Sequence, residues 1–202
     1  MLRFFLLFLG IQLSLFLVNM LNWVQLHVVL PWTALLARIS AGLVAWFDAS
    51  AAAQGKVLWN TTTGFGVSIE PGCNGIEACI VLCAAILAFP ARWRSKLVGL
   101  LVGCVAVQAL NVVRVISLFY IGQWNTAAFN FAHEFLWQGL IMLDVLIVWL
   151  LWVRRTTRDD DRGDDPPPPK DPPAAPPRRP VGARGQGVVS SSPDLSLPQA
   201  RA

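Results

Sequence analysis

Long apolar runs separated by short polar breaks fill residues 4–153, and the length of each run is the first clue to the fold. A helix that crosses a bilayer needs about 20 mostly apolar residues. Four stretches approach that length, at about 4–26, 74–90, 97–121 and 132–153. Pro90 closes the second, and Arg92, Arg94 and Lys96 crowd the turn before the third. The pattern predicts an all-α integral membrane protein, a bundle of about four transmembrane helices.

Three further stretches read differently. In "PWTALLARISAGLVAWFD", residues 31–48, Trp32, Leu35, Leu36, Ile39, Leu43, Trp46 and Phe47 recur at helical spacing, with Arg38, Ala41, Ala45 and Asp48 opposite. That arrangement predicts an amphipathic helix lying in the outer interface. Residues 49–70 are rich in Gly, Thr and Ser and contain the alternating "GVSIE", which predicts a loop or small hairpin over the membrane entrance. From Thr156 onward "DDDRGDDPPPPKDPPAAPPRRP" cannot bury a core, so residues 156–202 are expected to form a disordered proline-rich cytoplasmic tail after a membrane domain of residues 1–155.

Composition sharpens this division. Hydrophobic residues make up 55% of the 202 positions and charged ones only 14%, against about a quarter in soluble domains. The net charge of +4 is no sign of nucleic-acid binding, because the basic residues cluster beside apolar runs and mark topology. Arg3, the 92–96 turn and Arg154, Arg155 and Arg158 all fit one arrangement, with both termini cytoplasmic. The first apolar run continues to about residue 30 without a convincing cleavage site, so a retained anchor is expected.

With the runs oriented, three reactive groups reach the same outer layer. Cys73 begins the second run, Arg114 lies about seven residues, or roughly 10 Å, below the end of the third, and His133 begins the fourth. An arginine inside a span marks function by default. If Asn74 caps the second helix, Glu77 falls at its third position, a near capping box, and the helix dipole favours a Cys73 thiolate. Asn111, one turn before Arg114, is placed to hold it, and Glu77 and Glu134 are supporting candidates. A thiol needs a base or cation beside it, and acyl transfer needs donors for the developing oxyanion. Cys, His and Arg therefore suffice chemically for attack on a peptide bond. Cys79, Cys83 and Cys104 read as small apolar residues, His27 as a weaker candidate, and Asp144 as a partner for Gln108 or another polar group of the bundle. No metal and no organic cofactor is expected. Two other classes stay open: a membrane thiol–disulfide oxidoreductase, though no Cys-x-x-Cys is present, and a non-catalytic membrane assembly subunit braced by Arg114.

"PGCNGIEA", "NVVRVISLFYIGQW" and "FAHEFLWQ", in that order on successive helices, resemble the exosortase/archaeosortase family, and the short runs between them look most like its exosortase H subgroup. The resemblance covers about residues 1–155. It implies a cysteine transpeptidase of the bacterial inner membrane, active at the periplasmic face, with Cys73 as nucleophile and Arg114 and His133 completing the triad. It also implies substrates: exported proteins with a C-terminal sorting signal of short motif, transmembrane span and basic cluster, of the IPTL-CTERM kind, passed to an acceptor. Asn74 stands where many family members have serine, and the proline-rich tail matches no family pattern.

Overall fold

The computed structural model describes residues 2–163, so most of the proline-rich segment lies outside the described residues. Helix α1 spans Leu2–Asn19. Helix α2 spans Asn22–Val44 and contains a π-turn at Gln25–Val29. A small antiparallel sheet follows, with β1 at Ala51–Gln54, β2 at Val57–Asn60 and β3 at Gly66–Ser68 in the order β1-β2-β3. Helix α3 is Ile76–Ala88 and α4 is Trp93–Trp124. Helix α5 comprises Thr126–Phe131, a π-turn at Ala132–Leu136, and Trp137–Gly163.

Four helices are long and apolar enough to cross a membrane: Leu2–Asn19, Asn22–Val44, Trp93–Trp124 and Thr126–Arg158. The number matches the expected bundle, but its membership differs. The first run breaks at Met20–Leu21 rather than continuing to 26. Leu21 turns extended (φ −63°, ψ 129°), and Gln25 Nε2 donates to the Asn19 carbonyl freed by the break. The helix expected at 74–90 forms over only 13 residues. The last helix continues past the expected boundary at 155 to Gly163, where Thr156 is buried and shares a 2.6 Å hydrogen bond with Ser95.

Residues 31–44 are not a separate helix. They continue α2, and most of the side chains they turn inward are small. Leu36, Ala37, Ser40, Ala41 and Val44 are buried, whereas Leu35, Ile39, Leu43 and Trp46 are exposed. Small residues let helices approach closely in a membrane, where large apolar ones gain nothing by turning inward.

Three apolar clusters hold the described residues together, the smallest of them Leu118, Ala132 and Trp137. Near the sheet, Leu36, Ala37 and Val44 of α2 meet Leu58, Val67 and Ile69 of the hairpin and Val115 and Phe119 of α4. Toward the other end, Leu82 and Ile86 of α3 pack with Val107, Ile141, Val145 and Trp152. There Phe4 lies 6.4 Å from both Phe89 and Trp149, so α1 starts where α3 ends. Trp152 Nε1 donates to the Ser95 carbonyl at 2.9 Å, tying α5 to the first turn of α4.

Gly99 makes that contact possible. A Cβ there would stand 2.3 Å from Trp152 Nε1, inside any van der Waals limit. Gly99→Leu is therefore expected to cost about 1–3 kcal/mol through overpacking. The loss should appear as a lower thermal unfolding midpoint of the purified protein in detergent. Gly139→Leu, where a Cβ meets nothing within 4 Å, should leave the midpoint close to wild type.

Candidate active site

The segment Glu70-Pro71-Gly72-Cys73-Asn74-Gly75 sets the position of Cys73 through its backbone. The Cys73 N–H donates to the Glu70 carbonyl at 2.9 Å. Proline at the second place and glycine at the third, with φ 86° at Gly72, make this a type II turn. Gly75 then adopts φ 73° and caps α3. A side chain at 75 would need this left-handed backbone and would also meet Gln108 at 2.8 Å. Cys73 is held between two glycines that no other residue replaces without strain.

The capping differs from the expected box. The cap is Gly75, not Asn74, and Glu77 falls at the second helical position. Asn74, fully buried, accepts from the Ile76 N–H through Oδ1 at 3.1 Å and donates through Nδ2 to Thr33 Oγ1 at 3.4 Å. Glu77 Oε1 accepts from the Gly72 N–H at 3.0 Å. Both supporting residues thus brace the turn that carries the thiol.

Around that turn the three expected residues converge. Cys73 Sγ lies 2.9 Å from His133 Nε2, and Arg114 Nη2 donates to Sγ at 3.4 Å. His133 projects from the π-turn of α5, where the wider helical loop re-aims a side chain, and it stacks on Phe129 with ring centroids 5.7 Å apart. Arg114 is only 3% exposed, and its Nε has no hydrogen-bond partner. A cavity of about 30 Å³ lies among Val67, Ser68, Ile69, Cys73, Arg114 and His133, room for one water or one carbonyl group.

The other candidates divide. Asn111 is fully buried below Arg114, and neither atom of its side-chain amide finds a partner. Glu134 is exposed, away from the thiol. His27 sits in the other π-turn, exposed and stacked on Trp23, remote from the three. The expected pairing of Asp144 with Gln108 does not form: Gln108 Nε2 donates to Cys79 Sγ at 3.5 Å, and Asp144 Oδ2 has no partner. Cys83 and Cys104 approach to 3.8 Å between sulfurs as free thiols. Sequence reasoning missed the wall of the cavity, Val67 to Ile69, because only pairing of the hairpin brings "GVSIE" over Arg114.

The electrostatics correct one further expectation. Burial pushes the Cys73 thiol above the ordinary thiol range; Arg114 opposes this, while Glu77 and Glu70 add to it. Desolvation of the thiolate outweighs the guanidinium. The resting group is a neutral thiol held against an imidazole, which suits proton transfer during attack rather than a preformed thiolate.

Among comparisons with known proteins, the family model described as transmembrane exosortase (Exosortase_EpsH) matches residues 2–153. No curated protein and no solved structure matches. The family match covers three quarters of the chain and all three converging residues, so the chain belongs to the transmembrane exosortases, a family of membrane transpeptidases.

Because alkylation requires the thiolate, labelling of Cys73 by iodoacetamide should keep rising with pH beyond about 8.5, the ordinary thiol midpoint. Glu77→Gln removes a charge that raises the thiol and should speed labelling at a given pH. Arg114→Met removes the opposing charge and should slow it. Peptide mass mapping at Cys73 reads all three, and a plateau near pH 7 would contradict the assignment.

Proposed function

We propose that this transmembrane exosortase is a cysteine transpeptidase that removes the C-terminal sorting signal of exported proteins at the outer face of a bacterial inner membrane. The observation that carries the reading is the meeting of Cys73 Sγ with His133 Nε2 at 2.9 Å and Arg114 Nη2 at 3.4 Å, from three separate helices. In this reading the basic residues of the 92–96 turn and of 154–158 lie in the cytoplasm, and the hairpin covers the periplasmic end.

The reaction uses groups already in place. His133 Nε2 takes the Cys73 proton as Sγ attacks the carbonyl carbon of the scissile peptide. The carbonyl oxygen becomes an oxyanion beside Arg114, whose unpartnered Nε supplies a donor. Collapse breaks the C–N bond, and His133 returns the proton to the leaving amine. The upstream part of the substrate remains as a thioester on Cys73. An acceptor nucleophile, deprotonated by His133, then displaces Sγ and takes the acyl group. Asn74 and Glu77 position the thiol by holding its turn, and Asn111 buttresses Arg114. The substrate's motif meets Cys73, its basic cluster stays cytoplasmic, and an IPTL-CTERM type of signal is the expected class.

A large open groove supports the placement of the leaving span. It measures about 1220 Å³ and runs along Ile76 to Cys83 of α3 and Leu97 to Val112 of α4, with Trp32 to Ile39 of α2 as its wall. The 15 steps from Leu97 to Val112 cover about 22 Å at 1.5 Å per residue, most of a hydrocarbon core about 30 Å thick. Small thiols at Cys79, Cys83 and Cys104 line it and would let a helix backbone approach. Its upper end, Ile76, is three residues from Cys73.

Co-expression with a reporter ending in motif, span and basic cluster tests the proposal. Wild type should convert the reporter to a shorter product. Cys73→Ala, His133→Ala and Arg114→Lys should each lower conversion by at least about 10²-fold, at equal membrane levels of enzyme. Arg114→Lys keeps the charge but loses the guanidinium fork. Conversion undiminished in Cys73→Ala would refute the reading.

A further inference from the structure

The hairpin carries a feature that neither the catalytic set nor the groove uses. Within it, Ile69 N–H donates to the Lys56 carbonyl at 3.0 Å and Asn60 N–H to the Phe65 carbonyl at 2.8 Å. The strands pair Val57 with Ser68, Leu58 with Val67 and Trp59 with Gly66. Hydrogen-bonded pairs in an antiparallel ladder recur at every second residue. Phe65, Val67 and Ile69 therefore turn their peptide groups toward β2, and Gly66 and Ser68 turn theirs away from it. Strand β3 is the last of the order β1-β2-β3, so among the described residues these peptide groups face no further strand.

That free edge belongs to the strand that walls the reaction cavity. Val67, Ser68 and Ile69 line the same 30 Å³ space as Cys73, Arg114 and His133. Val67 and Ile69 are buried, whereas Gly66 and Ser68 are exposed. Edges in native sheets are commonly guarded by lysine, proline or a bulge. The Gly-Val-Ser of β3 has no such guard, and Glu70, just beyond its end, is taken up by Lys56 and by the Ser68 hydroxyl, which donates to it at 2.7 Å.

We propose that the substrate segment carrying the scissile bond binds as a fourth strand on the free edge of β3, hydrogen-bonded to the backbone of Gly66 and Ser68. This inference rests on the peptidase reading above and deepens it. An added strand lies about 4.8 Å from its neighbour and rises about 3.3 Å per residue, so pairing with Ser68 carries the peptide past the cavity and leaves one carbonyl over Cys73. Alternate peptide groups of an extended chain face opposite sides. One set bonds to β3 and the intervening set faces His133, Arg114 and the thiol. The short strand offers two donors and two acceptors, which suits a short motif, and register on the edge decides which bond is cut. Recognition by backbone pairing, with side chains selecting register, is the general logic of strand addition.

The test uses the full chain in lipid nanodiscs and synthetic peptides comprising the motif, an apolar span and a basic cluster. Each amide of the motif is N-methylated in turn, which removes one donor without changing the side chains. Cleavage should fall about tenfold or more at positions two residues apart and hold within about twofold at those between, since one unmet hydrogen bond has about that effect. Ser68→Pro removes the Ser68 backbone N–H, which is not used within the hairpin, together with the hydroxyl that donates to Glu70. Measured against Ser68→Ala, which loses the hydroxyl alone, it should slow cleavage of the parent peptide similarly while the two thermal midpoints stay close. Equal losses at neighbouring positions, or none, with the parent peptide still cleaved, overturn strand addition and leave the peptidase intact. A Ser68→Pro defect that appears only with loss of self-association assigns the edge to a second copy of the chain and also overturns it. Failure to cleave the parent peptide at all removes the peptidase reading, and this inference with it.

Discussion

A guanidinium on α4 is held almost wholly out of solvent, and much of the structure follows from accommodating it. Arg114 is 3% exposed, a placement that costs several kcal/mol unless the charge meets compensating groups. The tight turn at 70–75 brings the polarisable sulfur of Cys73 within 3.4 Å and the sheet seals the cavity above, while fully buried Asn111, one turn below, makes no hydrogen bond to the guanidinium. The hairpin core of Leu58, Val67 and Ile69 against Val115 and Phe119 keeps water from that side, so the guanidinium's field stays unscreened where charge develops in a reaction.

The same exclusion of water governs the thiol. Burial raises the Cys73 thiol more strongly than Arg114 lowers it, so the environment disfavours a resting thiolate. On the proposed route charge separates only when a carbonyl enters the cavity and Sγ bonds to it, with Arg114 and His133 already beside the sulfur. Preorganised donors in a dry site are the largest single contribution in many enzymes. In the proposed function membrane geometry would add to the alignment, because a substrate span lodged beside α3 and α4 would restrict the adjoining motif to the layer where Cys73 lies.

Much of this was legible in the sequence, and the exceptions have physical causes. Cys73, Arg114 and His133 could be placed at one depth because run length and basic flanks fix how far each lies from a helix end. Their contact could not be read, because it depends on the π-turn at Ala132–Leu136, and a single extra residue in a helical loop leaves no compositional mark. Residues 31–48 were expected to form a helix of their own because their large apolar side chains share one face, but the same spacing also suits the second half of a longer helix with that face outward. Against lipid, Leu35, Ile39 and Leu43 face out and Ala37, Ser40 and Ala41 pack within. The cap was misplaced by one residue because Gly75 takes a left-handed backbone, leaving Asn74 to bridge Thr33 and Ile76 rather than begin the helix.

The most direct measurement is the intact mass of the purified enzyme during turnover of a synthetic substrate, quenched in acid to preserve thioesters. A covalent route through Cys73 requires a transient mass increase equal to the acyl part of the substrate upstream of the cut. That increase should map to Cys73, disappear on treatment with hydroxylamine at neutral pH and be absent in Cys73→Ala. Product formed at the wild-type rate with no such adduct, or an adduct that persists in Cys73→Ala, would contradict the account.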